Sequence, residues 1–448
     1  MANETVAEKS NLNNYSDYNL KLNRWILKPI GVWPASPSTS KLQRTVSVIS
    51  NVVCYSFMVS TSIMCLLHLL LELETVYAKL EILGALNHWF VSNVTYTTLL
   101  LRSNDIRDCV QQMETDWRTV AKTKYQEVML KYAVFGRYVA TFCVAFMQGG
   151  VLSFCFVTAM STEEIQVGNE TKMMHVIPFP VYKRLLNVEE NPMNAIVLFA
   201  EIFAIFIANS CTAGTFSLAA VLAAHACGQL GVVKVRLVEF VDKSRNQEKG
   251  SAFGKMGAIV EHHLRTLNFI ACMEKMMSRI YFLEFFRCML AICLIMYMFL
   301  MDLANHNVKN MATLCACVAS ICLNIFIMCY ISEVLKAQVP ESDQVALIQK
   351  RHNYTRSYYR NVNNMNSQQC KEVGDVIYMT NWYNLPNKLI LDLILIIVRS
   401  NLAVDITAGK IIHLSIYTFG HVSNKNQLRV SKHIATNDTV KFLENSLQ

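Results

Sequence analysis

Charge is scarce in this chain. Of its 448 residues only 17% are charged and 53% are hydrophobic, with a mean hydropathy of +0.28. A soluble chain of this length carries about 25% charge and divides into domains. Catalytic patterns are missing too. There is no glycine-rich phosphate loop, no His-Glu-x-x-His helix and no Gly-x-Ser-x-Gly elbow. Glu261-His262-His263 has the wrong spacing for a zinc helix. Nothing repeats in the manner of a transporter. The first 40 residues lack an apolar core followed by a small-residue cleavage site, so no signal peptide is read there. A disulfide framework is absent as well. Eleven of the fifteen cysteines lie in apolar runs, and four (Cys109, Cys227, Cys272 and Cys370) lie in gaps expected to face the cytosol. The expectation is a chain that is neither an enzyme nor a cofactor carrier.

What the chain has is long apolar runs. Six can be read: Val46–Leu71, Leu80–Leu101, Ala133–Met160, Ala195–Ala224, Phe285–Met301 and Met311–Ile331. A span of the bilayer needs about 20 apolar residues. The first run, with no leader before it, is expected to act as an internal signal anchor. Lysine and arginine sit almost entirely in alternate gaps. Up to Lys388, 28 lie in the N-terminal segment and the even gaps, against 5 in the odd gaps. Positive charge is retained on the cytoplasmic side, so the N-terminus is expected inside. That orientation is inverted relative to G-protein-coupled receptors. The net charge of +8 does not point to nucleic acid, because the cations follow the gaps and form no single cluster.

Charged residues within spans face protein or water. Glu201 is therefore a candidate functional group, and Arg137 and Arg287, near the inner face, are weaker ones. The longest outside gap, Ser161 to Asn194, holds Asn169-Glu170-Thr171, a glycosylation acceptor in the right compartment. The gap from His225 reads as amphipathic helix that continues the neighbouring spans. Leu389–Val398 is apolar but only ten residues long, which suits a buried or re-entrant helix. Leu402 to Gly420 follows, carrying Asp405, Lys410 and His413, charges that a helix lining a wet pore can hold.

Several segments, taken in order, resemble the insect odorant receptors, and the hymenopteran members in particular. The likeness begins at Leu27-Lys28-Pro29-Ile30-Gly31-Val32-Trp33-Pro34. It continues through Thr215-Phe216-Ser217 and His225-Ala226-Cys227-Gly228-Gln229-Leu230. It is strongest over Tyr378 to Pro386, then Ile394 to Ile397, Thr407-Ala408-Gly409-Lys410, Leu414-Ser415 and Thr418-Phe419-Gly420. The resemblance implies an all-α membrane protein, a seven-transmembrane helical bundle whose seventh helix is split. It also implies a tuning subunit of an odorant-gated, non-selective cation channel. Its partners would be an odorant receptor co-receptor, in a heterotetramer, and a small volatile ligand. Its place would be the plasma membrane of olfactory sensory neurons. The implied organisation is a cytoplasmic segment (1–45), a six-span ligand-binding bundle (46–331), a cytoplasmic loop with an anchor helix (332–400) and the start of a pore-lining helix (401–420).

With the ligand in the outer half of the bundle, the apolar-aromatic set with a few polar groups is His88, Trp89, Phe146, Phe154, Phe199, Glu201 and Phe203. Trp382, Tyr383, Leu385 and Pro386 belong to the implied subunit anchor. Thr407, Lys410, Leu414 and Thr418 fall on the implied pore helix. Residues 421–448 depart from the family pattern. They form an atypical polar tail, readable as a genuine C-terminus or as translated intron, and the outer pore is expected to be incomplete. The alternative within the superfamily is a gustatory receptor-type channel, which the Lys28–Pro34 and Trp382–Pro386 segments disfavour. A G-protein-coupled receptor or a transporter fits less well.

The charge asymmetry generates a direct test. An N-terminal epitope tag should be invisible on intact cells and visible after permeabilisation. Glycosidase treatment should increase the chain's mobility, and Asn169→Gln should abolish that shift. Staining of the tag on intact cells would overturn the orientation.

Overall fold

The computed structural model describes residues 18–336 apart from short breaks at 36–38, 122, 168–169, 187, 189, 245–248 and 305–307. Beyond these it describes residues 387–400 and 407–414, with isolated residues between 373 and 385. The described chain is nearly all helix. A short helix α1 includes residues 18–27. It is followed by α2 (Lys41–Leu71), α3 (Val76–Leu101), α4 (Ser103–Val120), α5 (Tyr125–Met160), α6 (Asn191–Ser244), α7 (Lys249–Ala304), α8 (Val308–Lys336) and α9 (Asn387–Ser400). Two small antiparallel hairpins complete it. One pairs β1 (Thr162–Val167) with β2 (Glu170–His175), and the other pairs β3 (Thr407–Ala408) with β4 (Ile412–His413).

Helix starts follow capping chemistry. Ser40 and Thr75 each accept a hydrogen bond from the backbone N–H three residues on, at Gln43 and Ala78. At about 1.5 Å per residue, the 54-residue α6 and the 56-residue α7 each run about 80 Å. That far exceeds the ~30 Å hydrocarbon core. Each helix is thus a span and a long extension in one piece, as the amphipathic reading of the gap after His225 anticipates.

Among the described residues, five helices are long and apolar enough to cross a membrane: α2, α5, most of α6, most of α7 and the latter part of α8. α3, read from sequence as the second span, falls short of that standard because polar residues interrupt it. Several of these are matched to neighbours. Asn87 donates to the Arg287 carbonyl at 3.1 Å, Asn93 to Ser62 Oγ at 2.7 Å, and Tyr96 to the Ile30 carbonyl at 2.7 Å. A membrane-depth polar group paired within the protein carries little of its usual cost.

α6 is the centre. α2, α3, α5, α7 and α8 all pack on it. From Ala204 to Val233 it is rich in small residues and almost wholly buried. Gly136 of α5 faces it so closely that a Cβ would lie 2.4 Å from Ala224 Cβ. Gly214 plays the same part for Leu27 of α1, whose Cδ2 would lie 2.4 Å from an added Cβ. The segment before α2 turns at Gly31, whose φ of 73° is left-handed. That turn buries Ile30 and Val32 and brings Ser47 Oγ to the Gly31 carbonyl at 3.2 Å.

Away from the β1–β2 hairpin, a buried polar network joins α4, α6 and α7. Asp116 accepts from Arg265 at 2.5 Å and lies 3.1 Å from His225 Nε2. Gln229 Oε1 lies 2.5 Å from His262 Nε2, and Arg236 approaches His262 Nδ1 at 3.3 Å. The other charged groups near spans have plain structural partners. Arg137 donates to the Tyr18 carbonyl at 3.0 Å, and Arg287 pairs with Glu284 at 2.9 Å.

The close approach of α5 to α6 is testable. Gly136→Val should destabilise the detergent-purified protein by about 1–3 kcal/mol, since the clash is with a packed helix. Gly149→Ala, with open space around it, should leave the melting midpoint unchanged or slightly higher. A Gly136→Val protein that melts with wild type would refute the tight seam.

Candidate functional site

The site is built at the end of the bundle that carries the β1–β2 hairpin. Asn194, near the start of α6, clasps this hairpin. Its Oδ1 accepts from the His175 N–H at 3.2 Å, and its Nδ2 donates to the His175 carbonyl at 3.1 Å. The chain then crosses the helix ends through Ile177-Pro178-Phe179-Pro180. Prolines on both sides of Phe179 bias this stretch toward extended backbone.

Three helices hold the crossing. Glu201 of α6, only 4% exposed, accepts the Phe179 backbone N–H at 3.1 Å. Cys65 of α2 donates to the Pro180 carbonyl at 3.9 Å. Glu72, just past α2, accepts the Lys183 N–H at 2.9 Å and is paired with His68 at 2.5 Å. The Phe179 ring meets Trp89 of α3 edge-on, with centroids 5.2 Å apart and planes at 71°. His88 packs beside the same indole, and Phe57 meets Phe203 edge-on at 5.1 Å.

Trp89 is 0% exposed, yet its indole N–H has no hydrogen-bond partner among the described residues. An unmet buried donor costs about 1–3 kcal/mol. The arrangement is thus an apolar-aromatic cluster holding one free donor, roofed by a loop that a carboxylate pins down. Such a set suits a small, mostly apolar molecule oriented by one polar contact. Among the described residues no group of three His, Cys, Asp or Glu side chains is placed to hold a metal.

Of the seven candidates named from sequence, His88 and Trp89 meet Phe179 directly or through one ring, and Glu201 holds its backbone. Phe203 lies two residues along α6 from Glu201 and faces Phe57 of α2. Phe199 stacks on Phe203 from the outer side, with ring centroids 6.3 Å apart, and the other two are placed elsewhere. Phe154 and Phe199 are 49% and 69% exposed on the outside of the bundle. α5 buries Met147, Cys155 and Thr158, and α6 buries Val197, Leu198 and Glu201, which turns both phenylalanines outward. Phe146 is half-buried on α5, stacked on Phe142 at 6.3 Å, and α5 packs chiefly along α6. Phe179, Phe57 and Cys65 were not singled out from sequence. The available signal was an aromatic residue between two prolines in an otherwise polar gap.

Of the implied pore helix, only residues 407–414 are described. Thr407 to Leu414 forms the β3–β4 hairpin, with Gly409 and Lys410 both left-handed at φ 62° and 60°. It docks on α7. Thr407 Oγ1 donates to Glu274 at 2.8 Å, and the Gly409 N–H donates to the Ser278 carbonyl at 2.9 Å. A Cβ at Gly409 would strike the Phe282 ring. Thr407 and Leu414 are buried, whereas Lys410 is exposed. Thr418 lies outside the described residues.

In the anchor segment, Leu385 is buried and Trp382 packs on the core from a half-buried position. Tyr383, Pro386 and the glycosylation candidate Asn169 lie outside the described residues. α9 buries Leu389, Leu393 and Ile396, and exposes Leu391, Ile394, Leu395 and Val398 on the other side. Between α7 and α9 lies an open cleft of about 490 Å³, lined by residues including Glu261, Arg265 and Asp392. Its charge and openness do not suit an apolar ligand.

The Glu201 latch can be tested by proteolysis. In purified protein, Glu201→Ala leaves the Phe179 N–H unpaired, whereas Glu201→Gln retains an acceptor. Tryptic cleavage at the exposed Lys183 and Arg184 should accelerate about fivefold or more in the alanine variant. Equal rates in both variants and wild type would remove the latch.

No curated protein matches the chain. The insect olfactory receptor OR5 from Machilis hrabei superposes with a TM-score of 0.67 at 14% identity, over 93% of this chain and 98% of that one. The same receptor in complex with eugenol superposes with a TM-score of 0.57 at 13% identity, over 94% of this chain and all of the other. At such identities the likeness is one of fold. A sequence model described as 7tm Odorant receptor matches residues 80–342, more than half of the chain. With its apolar helices and its bundle, the chain belongs to the 7tm odorant receptor family.

Proposed function

We propose that this multi-pass membrane protein is the odorant-recognising subunit of a ligand-gated cation channel, placed in the plasma membrane of olfactory neurons with its N-terminus inside. The observation that carries the recognition half is the cluster of Trp89, Phe179, Phe57, Phe203 and Glu201 beneath the latched loop. On the proposed orientation it lies in the outer half of the bundle, where a volatile molecule arrives. Eugenol, bound by the related receptor, is of the chemical type such a cluster suits: mostly apolar, with a few oxygen atoms. Binding is then chiefly apolar burial, at about 25 cal/mol per Å², with Trp89 Nε1 orienting an acceptor.

The channel half rests on a co-receptor. The exposed residues Leu391, Ile394, Leu395 and Val398 recur at helical spacing and form one apolar stripe on α9. Packing against a partner subunit inside the cell, where no lipid competes, stabilises by roughly 1.5–3 kcal/mol for each large side chain buried. The pore is a different matter. The β3–β4 hairpin stands where a pore-lining helix was expected, and the residues after Phe419 lose apolar periodicity. In this reading the chain binds odorant and its co-receptor but contributes an incomplete pore wall.

Two outcomes are expected. With a co-receptor in cultured cells, Trp89→Phe and Phe203→Ala should change odorant sensitivity or ranking at least tenfold at unchanged surface expression. Phe154→Ala should not. If all three behave alike, the cluster is not the ligand site. The unmodified chain should co-purify with its co-receptor yet give weak or no odorant-evoked current, and an apolar helix built after Gly420 should recover it. Robust current from the unmodified chain would refute the pore reading.

A further inference from the structure

At the end of the bundle away from the β1–β2 hairpin, α4 and α7 bring two thiols together. Cys109 Sγ donates to Cys272 Sγ at 3.6 Å, across 163 residues of sequence. The two are unequally exposed: Cys109 is buried and Cys272 is half-buried. Cys272 is thus the more accessible partner. The pair also has a polarity. The hydrogen bond to Cys272, with burial, pushes the Cys109 thiol well above its ordinary range. Cys109 therefore keeps its proton and presents it to Cys272. The hydrogen bond from Cys109 favours a thiolate at Cys272 against burial and Asp105 of α4; Lys275, one turn along α7, adds to it and Asp108 opposes it. A half-buried cysteine backed by a fully buried thiol in hydrogen-bond contact is the arrangement of an attacking and a resolving cysteine.

We infer that Cys272 and Cys109 form a reversible modification site that responds to hydrogen peroxide by cross-linking α4 to α7. The Cys272 thiolate attacks one peroxide oxygen and the O–O bond breaks. The departing hydroxide takes up a proton as water, leaving a sulfenic acid on Cys272. Cys109 sulfur then attacks Cys272 sulfur. The S–S bond forms, the S–O bond breaks, and the Cys109 proton leaves with the hydroxyl as a second water. Two thiols are oxidised and one peroxide is reduced to two waters. Closing from 3.6 Å to a bond of about 2.05 Å moves the sulfurs about 1.5 Å closer. A cellular thiol reverses the bond by exchange.

The position gives the bond a consequence. Cys272 precedes by two residues Glu274, the α7 carboxylate that receives Thr407 from the β3–β4 hairpin. A disulfide would fix α7 to α4 beside the seat of that hairpin.

The test uses the full chain in native membranes. Membranes are treated with hydrogen peroxide, denatured and alkylated with N-ethylmaleimide. They are digested without reductant and read by mass spectrometry. The expected product is one linked peptide pair containing Cys109 and Cys272, lost on dithiothreitol treatment. In Cys109→Ala the resolving thiol is gone, so peroxide should leave Cys272 reactive toward dimedone at least tenfold above untreated membranes. Size-exclusion chromatography checks that this variant folds, and the wild-type peptide measurement stands without it. Recovery of both cysteines as maleimide adducts after peroxide would overturn the proposal. So would linkage of either to a different cysteine.

Discussion

The close approach of neighbouring helices to α6 is the constraint on which the rest depends. Hydrophobic burial gives little drive between helices in lipid, because lipid tails are as apolar as leucine. Van der Waals contact must supply the attraction, and it falls off within an ångström or so. Alanine and glycine along α6 permit that contact. Gly136 of α5 meets Ala224, and Leu27 of α1 meets Gly214. A bulky residue at either place would part the helices and leave the seam without partner atoms. The seam in turn sets the rotation of α6, which turns Glu201 inward and Phe199 outward.

With α6 fixed, buried polar groups bind the two ends of the bundle in different ways. Away from the β1–β2 hairpin, Asp116, His225, Arg265, Gln229, His262 and Arg236 join α4, α6 and α7. That network gives the helical extensions directional contacts where apolar packing alone would let them slide. At the hairpin end the polar contacts are few and go mainly to backbone. Glu201 and Glu72 each accept one loop N–H. A loop held at a few such points can open locally at far lower cost than the bundle, which suits the covering of a ligand site.

Much of the fold was legible from residues alone. Five of the six apolar runs lie in helices long and apolar enough to cross a membrane, and the amphipathic stretch after His225 marked the long extensions of α6 and α7. The segment from Leu27 to Pro34 stood out as a motif, and the structure gives its physical basis: a left-handed Gly31 that delivers Ile30 and Val32 to the core and a carbonyl to Tyr96. The segment at His225 has a similar basis in its contacts to Asp116 and His262. The candidate site was only half legible. Glu201 stood out as a mid-span carboxylate and Trp89 as part of an aromatic run, and the structure sets both against Phe179. Phe154 and Phe199 are largely exposed, and aromatic residues are common on both faces of a membrane helix. Helix rotation depends on the partner surface, which no local pattern encodes.

By itself, then, the sequence determined that this is a helical membrane protein, where its apolar segments lie and which polar residues needed partners. Those properties follow from hydropathy, charge and spacing, and each is local. Tertiary structure decided the rest. It seated Phe179 over Trp89, set Cys109 against Cys272 and folded Thr407 to Leu414 into a hairpin on α7. Each of these joins residues far apart in the chain or overrides a local preference. A free hydroxyl at Thr407 is compatible with helix or hairpin. The acceptors at Glu274 and Ser278, more than a hundred residues earlier, settle the choice because they satisfy backbone and side chain together.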